Sequence, residues 1–464
     1  MKKLLIAVAT VGVAGYLGVS GVAYVHDTNY AESAMQHPAS STEAARVRDV
    51  LNRNACYYCH STTAVLPGYA SLPGIRQLSE RDVQTGLTYY RMDALYAALD
   101  NGTPVPEADL AKLEIVTNED TMPPKLFRSV HWATGLTADD QRTLLDWIAS
   151  QRKITYATPG VAPEFANEPV QPLPKSLPTD ARKVALGLQL FHDPRLSADN
   201  TVSCASCHSL ATGGVDGQKV STGVNGQKGG INAPTVFNAA LNHLQFWDGR
   251  AGTLQEQAGG PPLNPVEMAS TSWDQIAAKL KKDAALTAQF AKVYPGGWSG
   301  ANITDAIAEF EKTLLTPSRF DAYLRGDKAA LNAEEVHGYA LFKANHCAAC
   351  HVGQNLGGQS FERMGRAANY FADRGGELTD ADTGRAGVTK NPLDSQRFKT
   401  PTLRNIELTA PYYHDGSRAD LRDAVRDMAK YQVGRQLSDA DVDAIVAFLK
   451  TLTGNGQPSV AKAP

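Results

Sequence analysis

Residues 56–60 read CYYCH, residues 204–208 read CASCH and residues 347–351 read CAACH. The chain has 464 residues and six cysteines, and all six fall in these three pentapeptides. None remains for a structural disulfide or a zinc cage. A redox or zinc-binding C-x-x-C has no need of a histidine directly after it, yet each motif here has one. The spacing fits a chemistry that uses every residue. Two thiols add across the two vinyl groups of one haem, and the following histidine ligates its iron. Cys56, Cys59, Cys204, Cys207, Cys347 and Cys350 are therefore read as covalent attachment points for three haem c groups. His60, His208 and His351 are read as the proximal iron ligands. The second axial position of each iron must be filled from elsewhere in the chain or stay open.

Working outward from the motifs, the chain begins MKK and continues through LLIAVATVGVAGYLGVSGVAYV, residues 4–25, without a charge. A bilayer takes about 20 apolar residues, so 1–25 is expected to be a transmembrane helix, with Lys2 and Lys3 on the cytoplasmic side. The rest of the chain is then placed in the periplasm, held to the inner membrane by one pass, where bacterial c-type haem is attached. Residues 26–44 read as a tether. An N-terminal haem domain is expected over 45–155, ending in a helix for which Thr137 is the N-cap. Residues 156–180 hold six prolines and read as an extended linker. A second haem domain is expected over 181–320, a third over 321–455, and a tail over 456–464. In the last helix, Val442, Ile445, Val446 and Leu449 share one face. Strand-like runs are few, so the fold class is all-α: three cytochrome c-like haem domains behind an N-terminal transmembrane helix. Outside the motifs the three units do not look alike. The net charge of −3, with no long basic run, excludes a nucleic-acid surface.

In the first domain the iron of His60 has Met122, in EDTMPP, as its expected second ligand, with His131, in SVHWA, as the alternative. An iron with both axial positions filled passes electrons and binds no substrate.

From about 181 to 455 the chain resembles the bacterial dihaem cytochrome c peroxidases. The resemblance is carried by FHDPRLSADNTVSCASCH, GGVDG, INAPTVFNAALNHLQFWDGRAGTLQEQAGGPPLNPVEM, AIAEFEKTLLTPSRFDAYLRGD and LRNIELTAPYYHDG, in that order. The additional N-terminal haem unit is similar to the trihaem, membrane-bound, quinol peroxidase-like branch of that family. The resemblance implies reduction of hydrogen peroxide at the His208 haem, with Glu267, in NPVEM, as the acid/base and Gln257, in QEQAGG, positioning the peroxide. It implies Met428, in RDAVRDMAK, as the second ligand of the His351 iron, and Trp247, in QFWDGR, as an electron relay or a packing residue. It further implies a calcium ion held by Asn232, Thr409 and Pro411, the last two through backbone carbonyls, a donor set of oxygens that suits calcium. Membrane quinol is the implied electron donor and a soluble c-type cytochrome the alternative; a non-enzymatic trihaem carrier is the competing class. A homodimer is also implied. One position departs from the family. Many members carry a histidine sixteen residues after the second proximal histidine, and it closes that iron in the resting enzyme. Here the loop is STGVNGQ with Val224 in that place, and valine cannot ligate iron. An open or water-bound site is therefore expected, with His243 a lower-ranked substitute ligand.

Overall fold

The computed structural model describes residues 2–34 and 39–454; the side chains of 2–9, 11 and 30–34 lie outside that description, as does the expected tail. The chain forms two compact units, Met1–Ala157 and Thr158–Pro464. Both are helical. Among the described residues the only paired strands are Phe361–Arg363 and Arg397–Lys399, antiparallel, with Phe361 opposite Lys399.

In the first unit, helices Thr42–Arg53, Asp93–Asn101, Glu107–Asn118 and Ala138–Gln151 close over a core that includes Val47, Leu51, Leu95, Leu110, Leu144 and Trp147. Each fully buried aliphatic or aromatic side chain of this kind contributes about 1.5–3 kcal/mol. Thr137 caps the last of these helices: its hydroxyl accepts from the Asp140 N–H at 3.1 Å, and the Asp140 carboxylate accepts from the Thr137 N–H at 3.0 Å. That reciprocal pair satisfies two N–H groups the helix cannot satisfy itself.

The N-terminal helix corrects the sequence reading. It runs Lys2–Ala34, past the apolar stretch and through the segment expected to be a tether. Among the described residues no helix is long and apolar enough to cross a membrane. The single-pass inner-membrane placement is therefore not supported. The physical reason is visible where the helix meets its own unit. Ala23 and Asp27 are buried, and the Asp27 carboxylate accepts from the Tyr58 hydroxyl at 3.0 Å and bonds His131 Nδ1 at 2.8 Å. Further along the helix the Tyr16 hydroxyl donates to the Ser129 carbonyl. A run of apolar letters was read as a lipid-facing stretch, but part of it faces protein.

The second unit has two large cores, one from Val184 to Leu314 and one from Phe165 to Leu452, with smaller clusters around Trp247 and Leu254. Each large core is organised by a helix pair that crosses at a glycine. Helix Ala181–Phe191 packs on Gly300–Glu311, and helix Ala333–Ala344 packs on Asp439–Lys450. A Cβ at Gly187 would run into the Ala306 carbonyl and Phe310; a Cβ at Gly338 would run into the Ala444 carbonyl and Phe448. The same device is thus used twice, a repeat that the letters outside the haem motifs did not display.

The proline-rich segment runs extended, as its composition asks, but it is packed down. Val170, Gln171 and Leu173 are at most 1% exposed. Val170 bridges in parallel to Gly353, beside the third motif, and the Leu173 N–H donates to Asp321 at 2.6 Å. Asp321 is also gripped by Arg404, both fully buried, through two parallel bonds of 2.9 and 3.0 Å. Burial alone would raise the Asp321 carboxyl, but the Arg404 charge and the N–H groups of Leu173 and Ser318 outweigh it and hold it below the usual range. The sign follows: a carboxyl depressed on folding contributes stability above its unfolded value and loses it as pH falls through the folded one. Replacing Asp321 by Ala leaves a buried guanidinium without a counter-charge, a loss of about 3–5 kcal/mol; denaturant titration of the haem-loaded protein should show the midpoint drop, against a small effect for the exposed Asp380→Ala.

Candidate functional site

Each of the three pentapeptides sits at a short helical turn, and all six thiols are free of disulfides. Each histidine turns its Nδ1 to a backbone carbonyl. His60 bonds Tyr90 O at 2.8 Å, His208 bonds Gly214 O at 3.3 Å and His351 bonds Leu356 O at 3.1 Å. A carbonyl on Nδ1 sets the tautomer that leaves Nε2 unprotonated, the arrangement of a metal-bound histidine. Burial lowers all three pKa values, that of His351 to about 4, so the rings are neutral and ready to ligate. The donors fit a haem: paired thiols and a neutral imidazole at every motif. Among the described residues no cluster of three or more His, Cys, Asp or Glu forms another metal site.

At the first motif the helix Ile75–Tyr89 comes in close, because a Cβ at Gly86 would strike the carbonyl of Cys59. Met122 is half-buried and followed by Pro123, whose carbonyl accepts from Arg128 Nε at 2.6 Å. The alternative ligand, His131, is engaged at both nitrogens, Nδ1 by Asp27 and Nε2 by the Tyr69 hydroxyl at 2.8 Å, and is stacked on Phe127. These bonds hold the His131 ring in place within its own unit.

At the second motif the loop that lacks the histidine is tied to the expected acid/base. Val224 is 1% exposed, and its N–H donates to the Glu267 carbonyl at 2.8 Å. Gly223 has no room for a side chain, since a Cβ there would meet the Val266 and Glu267 carbonyls. Asn225, at φ +55°, turns the loop back, and asparagine tolerates this left-handed region better than most residues. The Glu267 carboxylate accepts from Asn264 Nδ2 at 2.7 Å. Burial raises its pKa, while the Arg250 charge and the Asn264 bond hold the rise in check. Burial pushes the Cys207 thiol up, and the charges of Asp216 and Glu267 add smaller raises. The Arg250 guanidinium lies 3.5 Å over the Phe246 ring. Gln257 is half-buried on helix Leu254–Gly259, whose N-terminus is capped by Thr253. His243 is exposed, with its backbone N–H on the Gly358 carbonyl.

At the third motif a cavity of about 230 Å³ is lined by Cys347, Cys350, His351 and Met428. Met428 ends helix Leu421–Met428, which places the thioether in the same space as the proximal histidine. Trp247, Asn232, Thr409 and Pro411 line that cavity too. The Trp247 indole N–H donates to the Asn232 carbonyl at 2.9 Å. The Asn232 amide donates to the Gln218 carbonyl at 3.0 Å, which turns Oδ1 the other way as an acceptor. Sequence reasoning missed His414. It is 2% exposed, stacked on Phe398, and bonded through Nε2 to Asp382 at 2.8 Å, while its carbonyl accepts from the Asn232 N–H. The segment YYHDG carries part of the family resemblance, but a lone histidine in a loop gives no periodic signal.

Three family descriptions match. Residues 15–150 match a haem-binding domain, 181–329 the di-haem cytochrome c peroxidases, and 336–453 cytochrome c. The chain is 52% identical to the Escherichia coli cytochrome c peroxidase Ccp, over 97% of this chain and 98% of that one. It is 48% identical to the Nitrosomonas europaea cytochrome c551 peroxidase, over 65% of this chain and 88% of that one. Among solved structures, a MauG-like protein associated with microbial copper homeostasis superposes with a TM-score of 0.56 at 29% identity, covering 62% of this chain and 96% of its own. With free thiol pairs and neutral histidines suited to haem c, and with a 52% identical relative along nearly its whole length, the chain belongs to the bacterial cytochrome c peroxidase family, oxidoreductases that act on peroxide.

Proposed function

We propose that the protein reduces hydrogen peroxide to water at the haem of His208, with electrons entering at the haem of His60 and passing through that of His351. The observation that carries this reading is Val224. It occupies the place of a closing ligand, is buried, and is bonded to the backbone of the one carboxylate suited to acid/base work. A pure electron carrier has no use for that combination.

When bound, the haem supplies an iron that exchanges electrons with the peroxide. The chain supplies the rest. Glu267 takes the proton from the near peroxide oxygen and returns it to the far one, which leaves as water. Its raised pKa makes it a better base for taking that proton. Gln257 holds the peroxide through its amide, and Arg250 keeps Glu267 from becoming permanently protonated. Two electrons and two protons convert one peroxide to two waters. Met428 on the His351 iron favours a high potential, fitting a store that releases its electron late. Trp247 joins that cavity to the second motif's side of the unit, and calcium at Asn232, Thr409 and Pro411 stiffens the junction. Met122 fills the second position of the His60 iron, so this first haem relays electrons only. The docking of the N-terminal helix removes the observation that favoured quinol as donor, and the relatives named for cytochrome c551 favour a small c-type cytochrome. Quinol remains the second reading, supported by the additional haem unit.

Glu267→Gln should retain all haem and lose about 100- to 10,000-fold in kcat/KM, read by peroxide-dependent oxidation of a reduced c-type cytochrome. Glu267 must be ionised to accept a proton, so activity falls as pH drops through its raised pKa; Arg250→Ala removes a charge that lowers that pKa and should move this acid limb to higher pH. Resting oxidised protein should show a high-spin haem by electron paramagnetic resonance that reacts with stoichiometric peroxide at once; Val224→His should turn it low-spin and inert until partly reduced. Cys56→Ala/Cys59→Ala protein should lose turnover with both reduced cytochrome and a quinol, yet still consume peroxide when reduced chemically. Full turnover with either donor would rule out the first haem as the point where electrons enter.

A further inference from the structure

The first unit contains a buried chain of polar side chains that peroxide reduction at His208 does not use. The Asp27 carboxylate lies at its centre. One of its oxygens accepts from the Tyr58 hydroxyl at 3.0 Å, and the other bonds His131 Nδ1 at 2.8 Å. A carboxylate can only accept, so Nδ1 carries the proton and the neutral ring presents Nε2 as an acceptor. That nitrogen takes the Tyr69 hydroxyl at 2.8 Å. Asp27 and His131 are 4% and 5% exposed, whereas Tyr69 is half-buried, on the turn Gly68–Ser71. From the surface inward the order is hydroxyl, imidazole, carboxylate. In that order the hydroxyl can pass its proton to the ring and take another from outside, while the carboxylate steadies the imidazolium that forms.

The placement gives the chain a use. Tyr58 stands between Cys56 and Cys59, so the carboxylate is tied to the turn of the first motif. His131 follows helix Lys125–Val130, which starts just after Met122 and the two prolines. The chain is therefore bordered by the segments that carry both expected axial ligands of the first haem. Phe127 stacks on His131 with ring centroids 3.7 Å apart and fixes its plane. Next to these two residues in the chain, Leu126 and Trp132 are exposed, and the Tyr16 ring meets Trp132 edge-on at 6.0 Å. Apolar and aromatic surface thus adjoins a proton acceptor at the haem where electrons enter. A cytochrome gives an electron and no proton, and has no use for such a relay. A donor that must shed protons with its electrons does.

We propose that Tyr69, His131 and Asp27 form the proton-accepting side of an oxidation site for a p-hydroquinone, whose ring lies against Trp132 and Leu126. This rests on the reading in which quinol feeds the first haem. One O–H proton of the hydroquinone passes to the Tyr69 oxygen as the Tyr69 proton moves to His131 Nε2. The para hydroxyl, on the solvent side, gives its proton to water. The two electrons leave singly towards the first haem, and both C–O bonds become carbonyls. His131 returns its proton through Tyr69 once the quinone has left. Two protons are released and peroxide takes up two, so hydroquinone and hydrogen peroxide give quinone and two waters.

The test drives peroxide reduction by the haem-loaded protein with menadiol and, separately, with hexaammineruthenium(II), which gives an electron and no proton. Tyr69→Phe removes the hydroxyl and keeps the ring. It should lower the ratio of menadiol-driven to ruthenium-driven turnover about 100-fold, the scale of a lost proton acceptor, and His131→Gln should do the same. Calorimetry of the oxidised protein with menadione should show saturable binding, weakened in Trp132→Ala, which should also raise KM for menadiol more than it lowers kcat. A ratio unchanged in Tyr69→Phe, whether both rates fall or neither does, overturns the proposal, as does wild-type protein that binds no menadione. If His131→Gln takes up no haem, Tyr69→Phe decides alone. Wild-type turnover with the ruthenium complex but not with menadiol sinks this proposal and the quinol reading together. Menadiol turnover with an unchanged ratio in Tyr69→Phe leaves the quinol reading standing and sinks this assignment only.

Discussion

A histidine ligates a metal through a ring nitrogen that carries no proton, and it has only two to offer. In this chain that constraint is met three times in the same way, by a backbone carbonyl on Nδ1 of His60, His208 and His351. A carbonyl can only accept, so the proton is held on Nδ1 and Nε2 is left for iron. Much of the local structure serves to bring that carbonyl into place. Tyr90 follows the helix that Gly86 allows against Cys59, and Leu356 lies in the loop that the proline-rich strap pins through Gly353. His131 shows the other outcome. With Asp27 and Tyr69 on its two nitrogens it is held within its own unit, although its letter in the sequence is the same.

In the second unit, Asn232 gathers the connections between parts that are far apart in the chain. Its carbonyl holds the Trp247 indole, its N–H holds the His414 carbonyl, and its side chain is turned by Gln218. One backbone peptide thus fixes the position of the indole ring. Around this point the buried ionic groups are paired: His414 with Asp382, and Asp382 with Arg374. Pairing is what makes buried charge tolerable.

Several features were legible in the letters. The haem motifs, the helical class and the Thr137 cap depend on residues close together, where chemistry or hydrogen bonding is local. The proline-rich segment 156–180 reads as a linker because proline restricts φ and supplies no N–H, but its burial at Val170, Gln171 and Leu173 is not visible in the letters. The N-terminal helix misled the reading for a related reason. Apolar letters report a preference to leave water, and both lipid and a protein core satisfy it. Asp27, only two residues past the apolar run, is the residue that the fold buries in hydrogen bonds.

The sequence by itself determined the cofactor chemistry, since thiol spacing and the adjacent histidine act within one turn of chain, and it showed that Val224 cannot be a ligand. Only the tertiary structure decided which carbonyl or side chain meets each histidine, and that Met428 and Trp247 line one cavity. Those outcomes depend on groups more than a hundred residues apart, such as Asp27 with His131 or Lys183 with Asp305. Hydrogen bonds and ion pairs act over a few ångströms, so they exist only after the chain has brought such residues together.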